Sequence, residues 1–244
     1  MLTVYRRLRQ QLLKSGSLRR YIFYAIGEIG LVMVGILLAL QVNNWNQERT
    51  DKKSESFYLN KLNSNLSEDT IKIQSQINRI LFENTKLDSL TLQLASKDRV
   101  EIDGNHVLYL LSTSKIIPER SAFDNLKFTN NLSLIKSEFL IDALIDYYSH
   151  WEGSTANWQQ SIEDYARTTI APYVMSNYPL DFQNELNIHQ LVPSRNILST
   201  EASADIKLKN FIAYRYSANN AILERYQTTF EMARDLLIRI NQEL

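Results

Sequence analysis

The chain of 244 residues contains no cysteine. That absence excludes disulfides, thiolate metal sites, cysteine nucleophiles and a bacterial lipoprotein anchor. Glycine and proline are scarce, at six and four, which argues against collagen-like, low-complexity and many-turned all-β chains. Net charge is missing too: 27 Lys+Arg balance 27 Asp+Glu. The chain therefore has no bulk basic character, and no nucleic-acid partner is expected. What is present is 44% hydrophobic content, enough to build a sizeable core and too much for intrinsic disorder. The expected fold class is all-α.

One long apolar run stands out. Tyr21 to Val42 reads YIFYAIGEIGLVMVGILLALQV, with Glu28 its sole ionisable carboxylate and no proline. As a helix it rises about 33 Å, enough to cross a hydrocarbon core of roughly 30 Å. Residues 1–20 carry Arg6, Arg7, Arg9, Lys14, Arg19 and Arg20 and no acid. The positive-inside rule then makes 1–20 a cytoplasmic basic tail and 21–42 a transmembrane helix, with the remainder outside the cytoplasm. Removing those six bases from 27 leaves 21, against 26 acids once Glu28 is set aside, so residues 43–244 are mildly acidic. A cleavable signal peptide is the rival reading. The run exceeds the usual h-region, and Leu40-Gln41-Val42-Asn43 offers no small-x-small cleavage site. Trp45 follows as a membrane-interface anchor, and Tyr21 and Tyr24 form the matching belt on the other side.

A carboxyl inside a span costs roughly 2.5–3.5 kcal/mol at the bilayer centre, so Glu28 should have a partner. Gly35 and Ala39 share its helix face, seven and eleven residues on. A carboxyl above a small-xxx-small pair is the chemistry of a helix–helix interface. Glu28, Gly35 and Ala39 are therefore the expected in-membrane interface, joining copies of the chain into a homo-oligomer or docking other membrane protein subunits. The sharper alternative makes Glu28 a proton carrier in an ion-coupled membrane subunit, by analogy with single-span subunits of ion-driven motors.

Beyond Trp45 no Gly or Pro occurs until Gly104. Leu59, Leu62, Leu66, Ile73, Ile77, Ile80 and Leu87 fall at three- and four-residue steps, which predicts a helix. Residues 43–56 are read as a helical connector, so the span continues into this helix as one rod. Residues 57–244 form a helical bundle domain with long first and last helices, the last running from Leu208 to Ile240 and packing back along the first. Lys97 to Gly104 reads as a loop with an extended piece at Val100 to Ile102. A short helix is expected from Pro118 and a longer one over Ser133 to Glu152. Gly153-Ser154 should interrupt before the pattern resumes through Ile170 to Pro172, and Met175 to Thr200 reads as an irregular connection. The last segment is too charged to be a second span.

His106, His150 and His189 are scattered without metal-ligand spacing, and no G-x-S-x-G elbow, P-loop or dinucleotide-binding glycine pattern occurs. No enzyme activity, cofactor or metal is expected. Tyr147, Tyr148, Trp151, Trp158 and Tyr165 are the one aromatic enrichment outside the run. Their helical spacing favours a core, and Tyr147, Trp151 and Trp158 are the candidate partner surface if exposed.

Two stretches carry a resemblance. YAIGEIGLVMVGILLALQVNNWNQ, from Tyr24, resembles the N-terminal hallmark of a family of uncharacterised single-span bacterial envelope proteins with a domain of unknown function. Ser121 to Tyr148 resembles that family's second shared region, with Asn130-Asn131 where Ser-Gly is usual, which leaves the turn type open. The resemblance covers the chain to about residue 150. It implies an inner-membrane location in Gram-negative bacteria and no particular activity. The expected function is a non-enzymatic scaffold or accessory subunit of an envelope complex, N-terminus cytoplasmic and C-terminal domain periplasmic, with the lipid bilayer as its first partner.

Overall fold

The computed structural model describes residues 18–95, 101–102, 104–113, 115–178, 180–181, 192–193, 197–198 and 205–244. The basic tail, apart from 18–20, and most of 182–204 lie outside the described residues. The chain divides into two compact units, Met1–Glu55 and Ser56–Leu244. Helix α1, Leu18–Ala95, is continuous, as the missing helix breakers predicted. In the first unit its residues from 31 to 50 are all exposed.

In the second unit α1 buries Leu59, Leu62, Leu66, Asp69, Ile73, Ile80, Glu83, Leu87, Leu90 and Leu94. These positions follow a heptad rhythm, the 3.5-residue repeat that keeps one seam against a partner helix. The last helix, α7 (Ile206–Glu243), does the same through Leu208, Phe211, Arg215, Ala218, Ile222, Tyr226, Thr229, Ala233, Leu236 and Ile240. The two seams meet antiparallel. Asn63 Nδ2 donates to Asn241 Oδ1 at 2.9 Å and Asn84 Nδ2 to Asn220 Oδ1 at 3.2 Å. Asn63 to Asn84 is 21 residues and Asn220 to Asn241 also 21, so the register holds without a slip. Asp205 caps α7, accepting from the Leu208 N–H at 3.0 Å. Burial raises the proton affinity of this carboxyl, but hydrogen bonds from the Tyr173 and Tyr178 hydroxyls outweigh it and hold Asp205 below its usual range.

The third layer is one helical run from 138 to 177. It comprises α4 (Glu138–His150), a π-helical turn (Trp151–Ala156), α5 (Asn157–Tyr165), a second π-helical turn (Ala166–Ile170) and α6 (Ala171–Asn177). Two expectations are corrected here. Gly153-Ser154 does not break the run: a glycine costs a helix about 1 kcal/mol, and burial of Trp151 and Thr155 on either side exceeds that. The helix also passes Pro172, because the preceding π turn loosens the backbone bonding that a proline would otherwise clash with. The start is later than expected as well. Leu132–Leu134 form a 3-10 turn, and α4 begins at Glu138, where the Ser137 hydroxyl accepts from the Leu140 N–H.

Three apolar clusters stack along this bundle. Leu62 and Leu66 meet Leu140, Leu144, Leu236 and Ile240 at one end. Ile73, Ile77 and Ile80 meet Trp151, Ile162 and Ile222 in the middle. Leu87 and Leu90 meet Ile170, Val174 and Leu208 at the other end. The chain returns from the far end to the near end between α1 and the third layer. After β1 (Glu101–Ile102), short helix α2 (Gly104–Leu108) and the turn after it place Val107 and Leu110 in the far cluster. Residues 115–120 then run without regular secondary structure, with Ile116 in the middle cluster, and α3 (Ser121–Phe128) puts Phe123 and Leu126 in the near one. The helix expected from Pro118 therefore starts only at Ser121, and Pro118 is buried in an irregular strap. α3 ends on Asn130 in the left-handed region, φ 56°, with the Asn131 N–H on Leu126 O and the Asn130 N–H on Lys127 O. This is a Schellman turn, which asparagine tolerates at little cost. Two-residue antiparallel pairs join β1 to β4 (Ile197–Leu198) and β2 (Leu180–Asp181) to β3 (Val192–Pro193). Otherwise the described fold is helical.

Candidate functional site

Among the described residues, α1 holds the one stretch long and apolar enough to cross a membrane, judged by length and composition. Glu28, Gly35 and Ala39 lie on it, all exposed. A Cβ built on Gly27, Gly30 or Gly35 meets nothing within 4 Å, so the thin side of this helix is open to close approach. Trp45 is also exposed. These four residues sit on one helix, with three of them on one face as their spacing requires.

The aromatic group falls elsewhere. Tyr147 is 0% and Trp151 3% exposed, so these two present no surface to a partner, correcting that expectation. Both lie on the inward side of the third layer, where helical spacing carries large side chains into the core. Trp158 is half-buried, with the Arg225 guanidinium 4.4 Å from its ring centroid.

The sequence reading missed the bundle's own polar chemistry. Residues 112–113 and 115–120 form no helix or paired strand, so their backbone N–H and C=O groups need side-chain partners once buried. Side chains of the two seams and of the third layer supply them. Asp69 Oδ1 accepts from the Glu119 N–H at 2.8 Å and Asp69 Oδ2 from the Tyr147 hydroxyl at 2.9 Å. The Tyr148 hydroxyl donates to Glu119 O at 2.9 Å, and the Ile116 N–H donates to Gln159 Oε1 at 3.1 Å. Lys72 bridges Glu68 and Glu119, each at 2.8 Å. Higher up, Arg215 Nη2 donates to the Ser112 carbonyl and to Glu83 Oε2, the latter at 3.2 Å. Glu83 Oε1 accepts from Arg79 Nε at 3.0 Å and from the Ser112 hydroxyl at 2.7 Å. Glu83 and Arg215 are 2% and 4% exposed. Burial pulls the Arg215 guanidinium below its usual value while the Glu83 charge opposes that. A guanidinium keeps its proton under such a shift.

Burial likewise pushes the Asp69 carboxyl up from 3.8 to about 6, against the two hydrogen bonds that favour its charged form. The native state then holds a proton that the unfolded chain has already released between pH 4 and pH 6. Stability from this group falls as pH rises through that window and is level above it. The difference amounts to about 2–3 kcal/mol. Urea unfolding of the parent chain and of Asp69→Asn, compared from pH 4 to pH 7, should show the parent losing that much relative to the variant. Parallel curves would contradict the assignment.

Among the described residues, no group of three His, Asp or Glu side chains is placed to hold a metal ion. Comparisons with known proteins are sparse. Neither the curated proteins nor the solved structures include a match to this chain. Residues 28–90, from Glu28 through most of the seam of α1, match the model of a family of unknown function, DUF6090.

Proposed function

We propose that this chain is a single-span inner-membrane protein, N-terminus cytoplasmic and helical domain periplasmic, which serves as a non-enzymatic scaffold or accessory subunit of an envelope complex. The observation that carries the reading is the uncovered apolar helix, with Glu28, Gly35 and Ala39 on one face and no side chain to block a second helix at Gly35. Further support comes from the bundle. Its buried charges are spent on tying the return strap to the helices, which suits a domain that holds its shape rather than one that turns over a substrate. The six bases before the span set the orientation. A second reading, in which Glu28 carries protons for an ion-coupled complex, is favoured by that carboxyl alone.

Topology is the direct test. A reporter active only after export, fused after Leu244, should be active, and one active only in the cytoplasm should work when inserted near Ser15. Reversed activities would remove the proposal. Gentle detergent extraction should then recover the chain with copies of itself or with other membrane subunits.

A further inference from the structure

The strap closes over a cavity of about 30 Å³ in the middle of the second unit, whose wall includes Arg79, Glu83, Gln159, Glu163, Arg215 and Tyr226. Arg215 and Gln159, 4% and 5% exposed, each turn part of their donor set to no protein partner: Arg215 Nε and Nη1, and Gln159 Nε2. Every unpartnered buried atom on this wall is a donor. Charge points the same way. The buried Arg215 guanidinium shares its one close counter-charge, Glu83, with Arg79. Glu163, half-exposed, is the other acid on the wall. A buried donor left without a partner is costly, and more so for a charged group. A body that only accepts hydrogen bonds and carries negative charge relieves all of this together. A single water can accept from at most two of these three donors, whereas a halide ion can accept from all three. The volume admits one or two water-sized bodies.

The geometry points to a binding site for a small inorganic anion of the halide class, held by Arg215 and Gln159 beneath the strap. The bound anion accepts from the free donors of Arg215 and Gln159 and so fastens α5 to α7 beneath the strap. This inference is independent of the membrane reading, since it concerns the second unit alone.

The test uses the full-length chain in detergent, with thermal unfolding followed by tryptophan fluorescence in sodium gluconate, chloride or bromide at equal ionic strength. Both halides should raise the midpoint saturably, by roughly 3 °C at a tenfold excess over Kd. Gln159→Glu keeps the acceptor for the Ile116 N–H and sets a carboxylate against the guanidinium. It should raise the midpoint in gluconate and abolish the halide response. Glu163→Gln should shift that response to lower halide concentration. Equal midpoints in the three salts, or an undiminished response in folded Gln159→Glu, would overturn the site. Should Gln159→Glu not fold, crystals of the parent chain in bromide decide: an anomalous peak within hydrogen-bond reach of Arg215 and Gln159 supports the site, and water density alone there refutes it.

Discussion

Glu83→Leu is expected to destabilise the protein by about 3–5 kcal/mol, because it strands the Arg215 guanidinium in the core without its counter-charge. The two side chains are 3% and 5% exposed, so solvent screens little of the effect. Arg215→Leu should cost less, since Glu83 retains Arg79 at 3.0 Å and the Ser112 hydroxyl at 2.7 Å. The double variant Glu83→Leu/Arg215→Leu should be more stable than Glu83→Leu alone, as removal of a whole buried pair is far cheaper than removal of half. Chemical denaturation of the four proteins gives the coupling, expected to lie between about 1 and 3 kcal/mol. Strictly additive losses would mean that the pair is not an energetic unit. The pair's position suggests why it persists in a seam that leucine could fill. It joins α1 to α7 at one register and holds the Ser112 carbonyl of the strap, and a lone polar group at a seam position is the usual device for fixing register.

The long helices were legible because their information is local and repeated. Ten buried positions on α7 keep a three/four rhythm that one can read without knowing the partner. Gly153 and Pro172 misled for the opposite reason. Their intrinsic preference is real but small or avoidable, and burial of Trp151, Thr155 and Ile170 on neighbouring turns outweighs it. The strap was illegible altogether. Lys115 to Arg120 has no period, and its place is fixed by side chains distant in sequence: Asp69, Gln159 and Tyr148 for residues 116 and 119, and Arg215 for residue 112. A heptad written out along α1 does place Asp69 and Glu83 on the buried seam. That signal of two acids at core positions was available and marks where the strap must attach. That Glu28, Gly35 and Ala39 share a face follows from spacing alone, since a helix of known period fixes which residues lie together.

Gly35→Ile is expected to abolish recovery of the chain in complexes after mild extraction, because a branched side chain at the thinnest point of the face keeps a second helix from close approach. The substitution is apolar, so insertion of the span should be untouched, and membrane fractionation checks that. Glu28 then separates the two readings of the face. If its carboxyl bonds across a helix interface, Gln supplies both donor and acceptor and Glu28→Gln should keep assembly and phenotype. Glu28→Leu should weaken association by about 1–2 kcal/mol, or roughly five- to thirtyfold, the range for one such bond in model peptides. If the carboxyl carries protons, Gln cannot release one, and Glu28→Gln should abolish function while the complex remains intact on a native gel. Scoring the three variants together for complex recovery and for growth or transport makes the outcomes distinct. Loss of assembly in Gly35→Ile with full retention in Glu28→Gln supports the scaffold, whereas intact assembly without function in Glu28→Gln supports proton coupling. A Gly35→Ile protein that still assembles would remove the face from both.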